Sequence, residues 1–134
     1  MPHVVLIADD NADNILLIRR ILRRSGVDCE YLEAQTGREA LRLAAERKPE
    51  LILLDMKMPD MDGFEAAAAL KSDESTKRIP VVAITAQAML GDRERAIEAG
   101  CDEYVAKPVD PDLLLKTFKR YISGGSAGES DEKE

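Results

Sequence analysis

The chain has 134 residues, enough for one domain that buries its own core without a disulfide or metal staple. Its composition, 45% hydrophobic and 34% charged, is globular, and a net charge of -7 argues against direct nucleic-acid binding, which leans on basic residues meeting phosphates. One histidine, His3, and two distant cysteines, Cys29 and Cys101, argue against histidine-cluster metals, zinc, CxxC redox chemistry and a Ser/His or Cys/His triad, while the absence of a signal pattern or long apolar run predicts a cytoplasmic protein with no membrane insertion.

His3 to Ala8 is a short apolar run that stops on Asp9 and Asp10. Asn11 to Asn14 supplies helix-start chemistry, and Ile15, Leu17, Ile18, Ile21 and Leu22 follow the helical spacing until Ser25-Gly26. Arg19, Arg20, Arg23 and Arg24 take the remaining faces, as a partner-binding patch or, more simply, a solvated surface. Val27 to Ala34 alternates weakly as a second strand, and a helix after Thr36-Gly37 turns Ala40, Leu41, Leu43 and Ala44 inward.

Leu51-Ile52-Leu53-Leu54 reads as a strand buried on both faces, ending on Asp55. An ionised carboxylate there is costly unless it meets solvent, a cation or donors, so Asp55 is placed at the carboxyl edge of the sheet, although an Asp capping an ordinary turn reads the same way in isolation. Pro59 and Asp62-Gly63 mark a loop, Phe64 to Leu70 an alanine-rich helix, and Lys71 to Arg78 a polar loop. Ile79 to Ile84 is a fourth strand ending on Thr85-Ala86. Ala88 to Ala99 reads as a helix with Gly91 in its first turn and Gly100 as its stop, and Asp102 to Ala106 as a fifth strand ending on Lys107-Pro108. Asp110-Pro111 starts the last helix, with Leu113, Leu114, Leu115, Phe118 and Ile122 as its stripe. The domain is expected over 1–123, followed by a disordered acidic Gly/Ser tail over 124–134.

Five strands alternating with five helices predict a doubly wound parallel (βα)5 sheet, whose right-handed crossovers bring every strand's carboxyl end to one edge. Asp9, Asp10, Asp55, Thr85 and Lys107 all fall at that edge. Three carboxylates without a nitrogen or sulfur donor suit Mg2+, and a lysine facing them makes sense where a phosphoryl group must also be neutralised.

Asp9-Asp10, the segment DMKMPDMDG, Thr85-Ala86 and Lys107-Pro108 together resemble the receiver domain of two-component response regulators, over about residues 3 to 122. The resemblance implies the flavodoxin-like strand order 2-1-3-4-5, a topology that the general rule for open α/β sheets illustrates with a chemotaxis receiver. It implies Asp55 as phosphoacceptor from a sensor histidine kinase or histidine phosphotransfer protein, since His3 cannot be the donor. Mg2+ is then bound by Asp10, Asp55 and the Lys57 carbonyl, and by Asp9 largely through water. Lys107 pairs with the phosphoryl group, and its peptide bond to Pro108 is expected to be cis.

Thr85 and Tyr104 become the switch, altering the surface of the fourth helix, fifth strand and fifth helix for a downstream protein target. Tyr104 also reads simply as a half-buried strand tyrosine. Lys57 and Gln87 would flank the hydrolytic water and tune phosphoryl lifetime, with slow self-dephosphorylation expected, though Lys57 is equally readable as a solvated side chain. The leading expectation is a single-domain signalling module, monomeric or dimerising on phosphorylation, and not an enzyme acting on a separate substrate. A phosphorelay intermediate or a receiver belonging to a longer regulator is the alternative. An aspartyl-nucleophile phosphatase fits less well, because Met56-Lys57 follows the nucleophile and no cap domain is present.

Overall fold

Leu51–Asp55 lies at the centre of the molecule because its apolar residues are wanted on both sides: Ile52 and Leu54 face one layer of helices, Leu51 and Leu53 the other. In chain order the elements of this computed structural model are β1 (His3–Ala8), α1 (Ala12–Arg23), β2 (Cys29–Ala34), α2 (Gly37–Arg47), β3 (Leu51–Asp55), α3 (Gly63–Ser72), β4 (Val81–Thr85), α4 (Asp92–Glu98), β5 (Glu103–Ala106) and α5 (Pro111–Tyr121). The structure describes residues 2–85 and 91–122. The predicted tail over 124–134 and the first turn predicted at 88–90 lie outside the described residues.

The sheet is parallel throughout, in the order β2-β1-β3-β4-β5, which is the expected doubly wound flavodoxin-like topology. Alternate residues of each strand feed two cores. Leu6, Ala8, Ile52, Leu54, Val81 and Ala83 pack with α2, α3 and Ala96 of α4, whereas Val5, Ile7, Leu51, Leu53, Val82, Ile84 and Val105 pack with α1 and α5. No described helix is long and apolar enough to cross a membrane.

Helix starts follow the capping residues. Asn11, Thr36, Asp62 and Asp110 each accept a backbone N–H of the first turn, and Pro111 sits where its missing N–H costs nothing. The described part of α4 begins later than the sequence suggests, after Gly91 at φ 95, with no side-chain cap. Two predicted stripes narrow. Leu17 is 48% and Leu113 44% exposed, because Ile15, Ile18, Ile21 and Leu22 in α1 and Leu114 and Phe118 in α5 already cover the sheet.

The predicted loop from Lys71 also changes character. Lys71 and Ser72 complete α3, and the Lys71 ammonium donates to the carbonyls of Lys77 and Ile79 and pairs with Asp102 at 3.1 Å. Asp102 in turn accepts the Val81 N–H, so this charged pair fastens the start of β4 to the end of α3. The alanines of α3 serve close packing: Ala66 and Ala67 are fully buried.

Candidate functional site

Register and side-chain alternation build the site. Ala8 pairs with Leu54, which sets Asp9 beside Asp55, and Thr85 pairs with Ala106, which sets Lys107 one step past the end of β5. Asp9 continues the face of Val5 and Ile7, Asp55 that of Leu51 and Leu53, and Lys107 that of Val105, so all three point toward the α1 and α5 side. Thr85 has the opposite parity. It follows Val81 and Ala83 onto the α3 and α4 side, where Tyr104, partnered with Ala83 in the ladder, also packs.

Asp9 and Asp55 are held in matching ways. One oxygen of Asp9 accepts the Asn11 N–H at 2.9 Å and the other accepts from Lys107 Nζ at 3.0 Å. One oxygen of Asp55 accepts the Lys57 N–H at 3.1 Å and the other lies 3.5 Å from Lys107 Nζ. Lys107 is fixed from behind by its own N–H, which donates to the Thr85 carbonyl at 2.7 Å, and the Lys107–Pro108 bond is cis, as the resemblance implied. Asp9 is 1% and Asp55 4% exposed, while Asp10 is open to solvent.

Burial pushes the Asp55 carboxyl up to about 6, the Asp9 charge adds to that rise, and the Lys57 N–H and the Lys107 ammonium oppose it. Two buried acids sharing one ammonium therefore leave excess negative charge at the site. Carboxylate oxygens of Asp9, Asp10 and Asp55 all lie within 4.8 Å of one another. An all-oxygen donor set of this charge fits a hard divalent cation that keeps some of its waters, so the residues present suit Mg2+.

Above this floor opens a cavity of about 430 Å³ walled by Asp10, Met56, Lys57, Met58, Pro59, Asp62, Phe64, Thr85 and Arg95. The loop between β3 and α3 is drawn tightly over the strand end. The Gly63 N–H donates to the Met56 carbonyl at 2.9 Å, and a Cβ on Gly63 would stand 2.5 Å from the Asp55 carbonyl oxygen, so only glycine permits that closure. Tyr104 lines a separate hollow of about 280 Å³ between α4 and β5, with Arg93, Ile97, Asp102 and Glu103.

The structure thus brings together Asp9, Asp10, Asp55 and Lys107, and sets Thr85 and Lys57 on the wall of the adjoining cleft. Gln87 and Ala86 lie outside the described residues. Sequence reasoning missed Phe64 and Arg95. Phe64 follows the loop glycine and reads as an ordinary core residue, and the helical phase of Arg95 depends on where α4 starts.

The family model for the response regulator receiver domain matches residues 5–119. A curated relative, the polar-differentiation response regulator DivK of Brucella anthropi, is 41% identical over 122 residues, covering 91% of this chain and 98% of the relative. DivK of Brucella ovis matches to the same extent. Among solved structures, the receiver domain of the Pseudomonas aeruginosa sensor histidine kinase PA1611, described with a magnesium ion in its active-site cleft, is 32% identical with a TM-score of 0.81, covering 94% of this chain and all of that one. The chemotaxis protein CheY4 of Vibrio cholerae is 29% identical with a TM-score of 0.80, covering 91% and 100%.

Proposed function

The chain belongs to the response regulator receiver domain family, and from that premise we propose that Asp55 accepts a phosphoryl group, with Mg2+, from the phosphohistidine of a sensor histidine kinase or a histidine phosphotransfer protein in the cytoplasm. The observation that carries this is the convergence of Asp55, Asp9 and Lys107 at one strand edge, with the Lys107 ammonium within 3.5 Å of both acids. A carboxylate oxygen of Asp55 attacks phosphorus. The P–O bond forms as the P–N bond to the donor imidazole breaks, and the ring nitrogen keeps the electron pair as the imidazole departs.

Lys107 neutralises the incoming oxygens, and the Thr85 hydroxyl donates to one of them from the α4 side of the cleft. The work is positioning and charge neutralisation, because a loose phosphoryl transition state asks for little else. Mg2+, held by Asp10, Asp55 and the Lys57 carbonyl and through water by Asp9, would supply further positive charge to the phosphoryl oxygens. Thr85 and Tyr104 share one face of the sheet, which supports the reading that movement of Thr85 toward the phosphoryl group is answered by Tyr104 and by the α4, β5 and α5 surface that a target protein reads.

The test is incubation with acetyl phosphate and Mg2+, followed by intact mass. Uptake should stop at about one phosphoryl group per chain, as one nucleophile dictates. Continuous hydrolysis of general phosphomonoesters would point instead to the phosphatase reading.

Lys57 is exposed on the cleft wall, two residues past the nucleophile, and we assign it a shielding role over the aspartyl phosphate. A Lys57→Ala chain is expected to lose its phosphoryl group several-fold faster, followed by decay of the phosphorylated mass after donor removal. An unchanged decay rate would leave Lys57 as a solvated side chain.

A further inference from the structure

Arg95 is the cation of this cleft to which phosphoryl acceptance gives no task. Its guanidinium carbon lies 3.9 Å from the centroid of the Phe64 ring, a close cation–π approach. It lines the same cavity as Thr85, Lys57 and Asp10. Among the described residues it pairs with no carboxylate. Among the described residues the helix that carries it is lightly packed: α4 is described over Asp92–Glu98, Ala96 is its one fully buried described side chain, Ile97 is 53% exposed, and Gly91 provides no side-chain cap. The Arg95–Phe64 stack thus joins α4 to α3 beside the buried Ala96, which packs with Ala66, Ala67 and Leu70.

We propose that Arg95 is a positioning residue that exchanges the Phe64 ring for the phosphoryl group on Asp55 and biases the position of α4 as it does so. The inference rests on the phosphoacceptor reading. Lys107 is already engaged by two carboxylates, so a dianionic phosphoryl group brings more negative charge than its ammonium alone matches. The face of Phe64 holds a guanidinium by its quadrupole, whereas phosphoryl oxygens hold it by charge-assisted, two-pronged hydrogen bonds, the stronger of the two in a half-enclosed cleft. A planar guanidinium suits both partners, as it stacks on a ring and forks onto an oxyanion, and an ammonium does neither as well. Because the stack joins α4 to α3, a change of partner at Arg95 carries differential free energy to the helix.

The probe is beryllofluoride, a non-covalent analogue of the phosphoryl group, titrated with Mg2+ into the full chain by calorimetry. Arg95→Ala should weaken its binding roughly fivefold, the scale of one charge-assisted contact at a partly exposed position. Phe64→Leu, which keeps an apolar wall but removes the competing ring face, should tighten it, by about twofold. Arg95→Lys should fall between wild type and Arg95→Ala. In NMR spectra of the wild type, the Arg95 Hε resonance should lose its ring-current shift on addition of beryllofluoride.

Opposite signs for Arg95→Ala and Phe64→Leu are the signature, because a purely structural contact would weaken binding from either side. Equal binding by wild type and Arg95→Ala, weakening by Phe64→Leu, or a stationary Arg95 signal each overturns the exchange. The control separates the two levels: if the wild type binds no beryllofluoride, or Asp55→Asn binds it equally well, the phosphoacceptor reading itself fails and takes this inference with it.

Discussion

An Asp55→Asn chain is expected to take up no detectable phosphoryl group from acetyl phosphate and Mg2+ under conditions that load the wild type with one. Three acids share the site, so this outcome is not guaranteed by composition. Asp9 has both oxygens engaged, one by the Asn11 N–H and one by Lys107. Asp10 is the exposed member, beyond the ammonium that would neutralise an incoming phosphoryl group. Asp55 is held in the same pattern, one oxygen fixed by the Lys57 N–H, but its other oxygen stands 3.5 Å from Lys107 against 3.0 Å for Asp9, so it is the less tightly engaged of the two and is aimed for attack beside the ammonium. An amide in its place cannot attack phosphorus and lowers the charge available for a divalent cation. Intact mass and an acid-stability assay of any residual label check the result. Uptake by Asp55→Asn at a rate comparable with wild type would move the nucleophile to Asp10 and overturn the assignment.

The fold and most of the site were legible because they depend on two local signals. Continuous apolar runs such as Val4 to Ala8 and Leu51 to Leu54 announce strands buried on both faces, and the polar residue that ends each run must lie at the sheet edge. Parallel topology then gathers Asp9, Asp55, Thr85 and Lys107, distant in sequence, without any knowledge of side-chain contacts. What the pattern did not carry was phase and reach. Leu17 and Leu113 fit an apolar stripe by spacing, but a helix on this narrow sheet needs only the residues that its neighbours cover. Lys71 looked like loop because its charge hides the role of its ammonium, which meets two carbonyls and Asp102 some thirty residues later. Arg95 and Phe64 meet only once the short α4 is placed against α3, and no periodicity of either segment encodes that meeting.

The same carboxylate that makes the site reactive should also, in chelator, contribute more to stability at pH 5 than at pH 7. Asp55 titrates near 6 in the folded chain against 3.8 for an ordinary aspartate, chiefly because it is buried, with Asp9 reinforcing the rise. A raised folded value means that the folded state binds the proton more tightly than the unfolded one. The stabilisation is therefore complete below the unfolded value and is lost as pH climbs through about 6. A gap of this size corresponds to about 3 kcal/mol in full, of which roughly 1 kcal/mol falls between pH 7 and pH 5. Asp73, whose carboxylate is held below its usual range by the Ser75 N–H and hydroxyl, shifts the opposite way, but its stabilisation is lost only as pH falls below the ordinary aspartate range and so is nearly constant between pH 5 and pH 7.

Asp55→Asn removes the buried charge yet keeps an oxygen for the Lys57 N–H, so at pH 7 it should be about 2 kcal/mol more stable than wild type, with a flatter profile toward pH 5. Mg2+ should act on the wild type in the opposite pH sense. It competes with the proton for Asp55, so its stabilisation, on the order of 2.7 kcal/mol at a hundredfold excess over its dissociation constant, should grow from pH 5 to pH 7. In Asp55→Asn it should shrink at both. Urea midpoints at the two pH values, with EDTA or Mg2+, measure all four arms. A wild type that loses stability from pH 7 to pH 5 in EDTA with the same slope as Asp55→Asn would mean that Asp55 is charged through that range, and that Lys107 and the Lys57 N–H outweigh its burial.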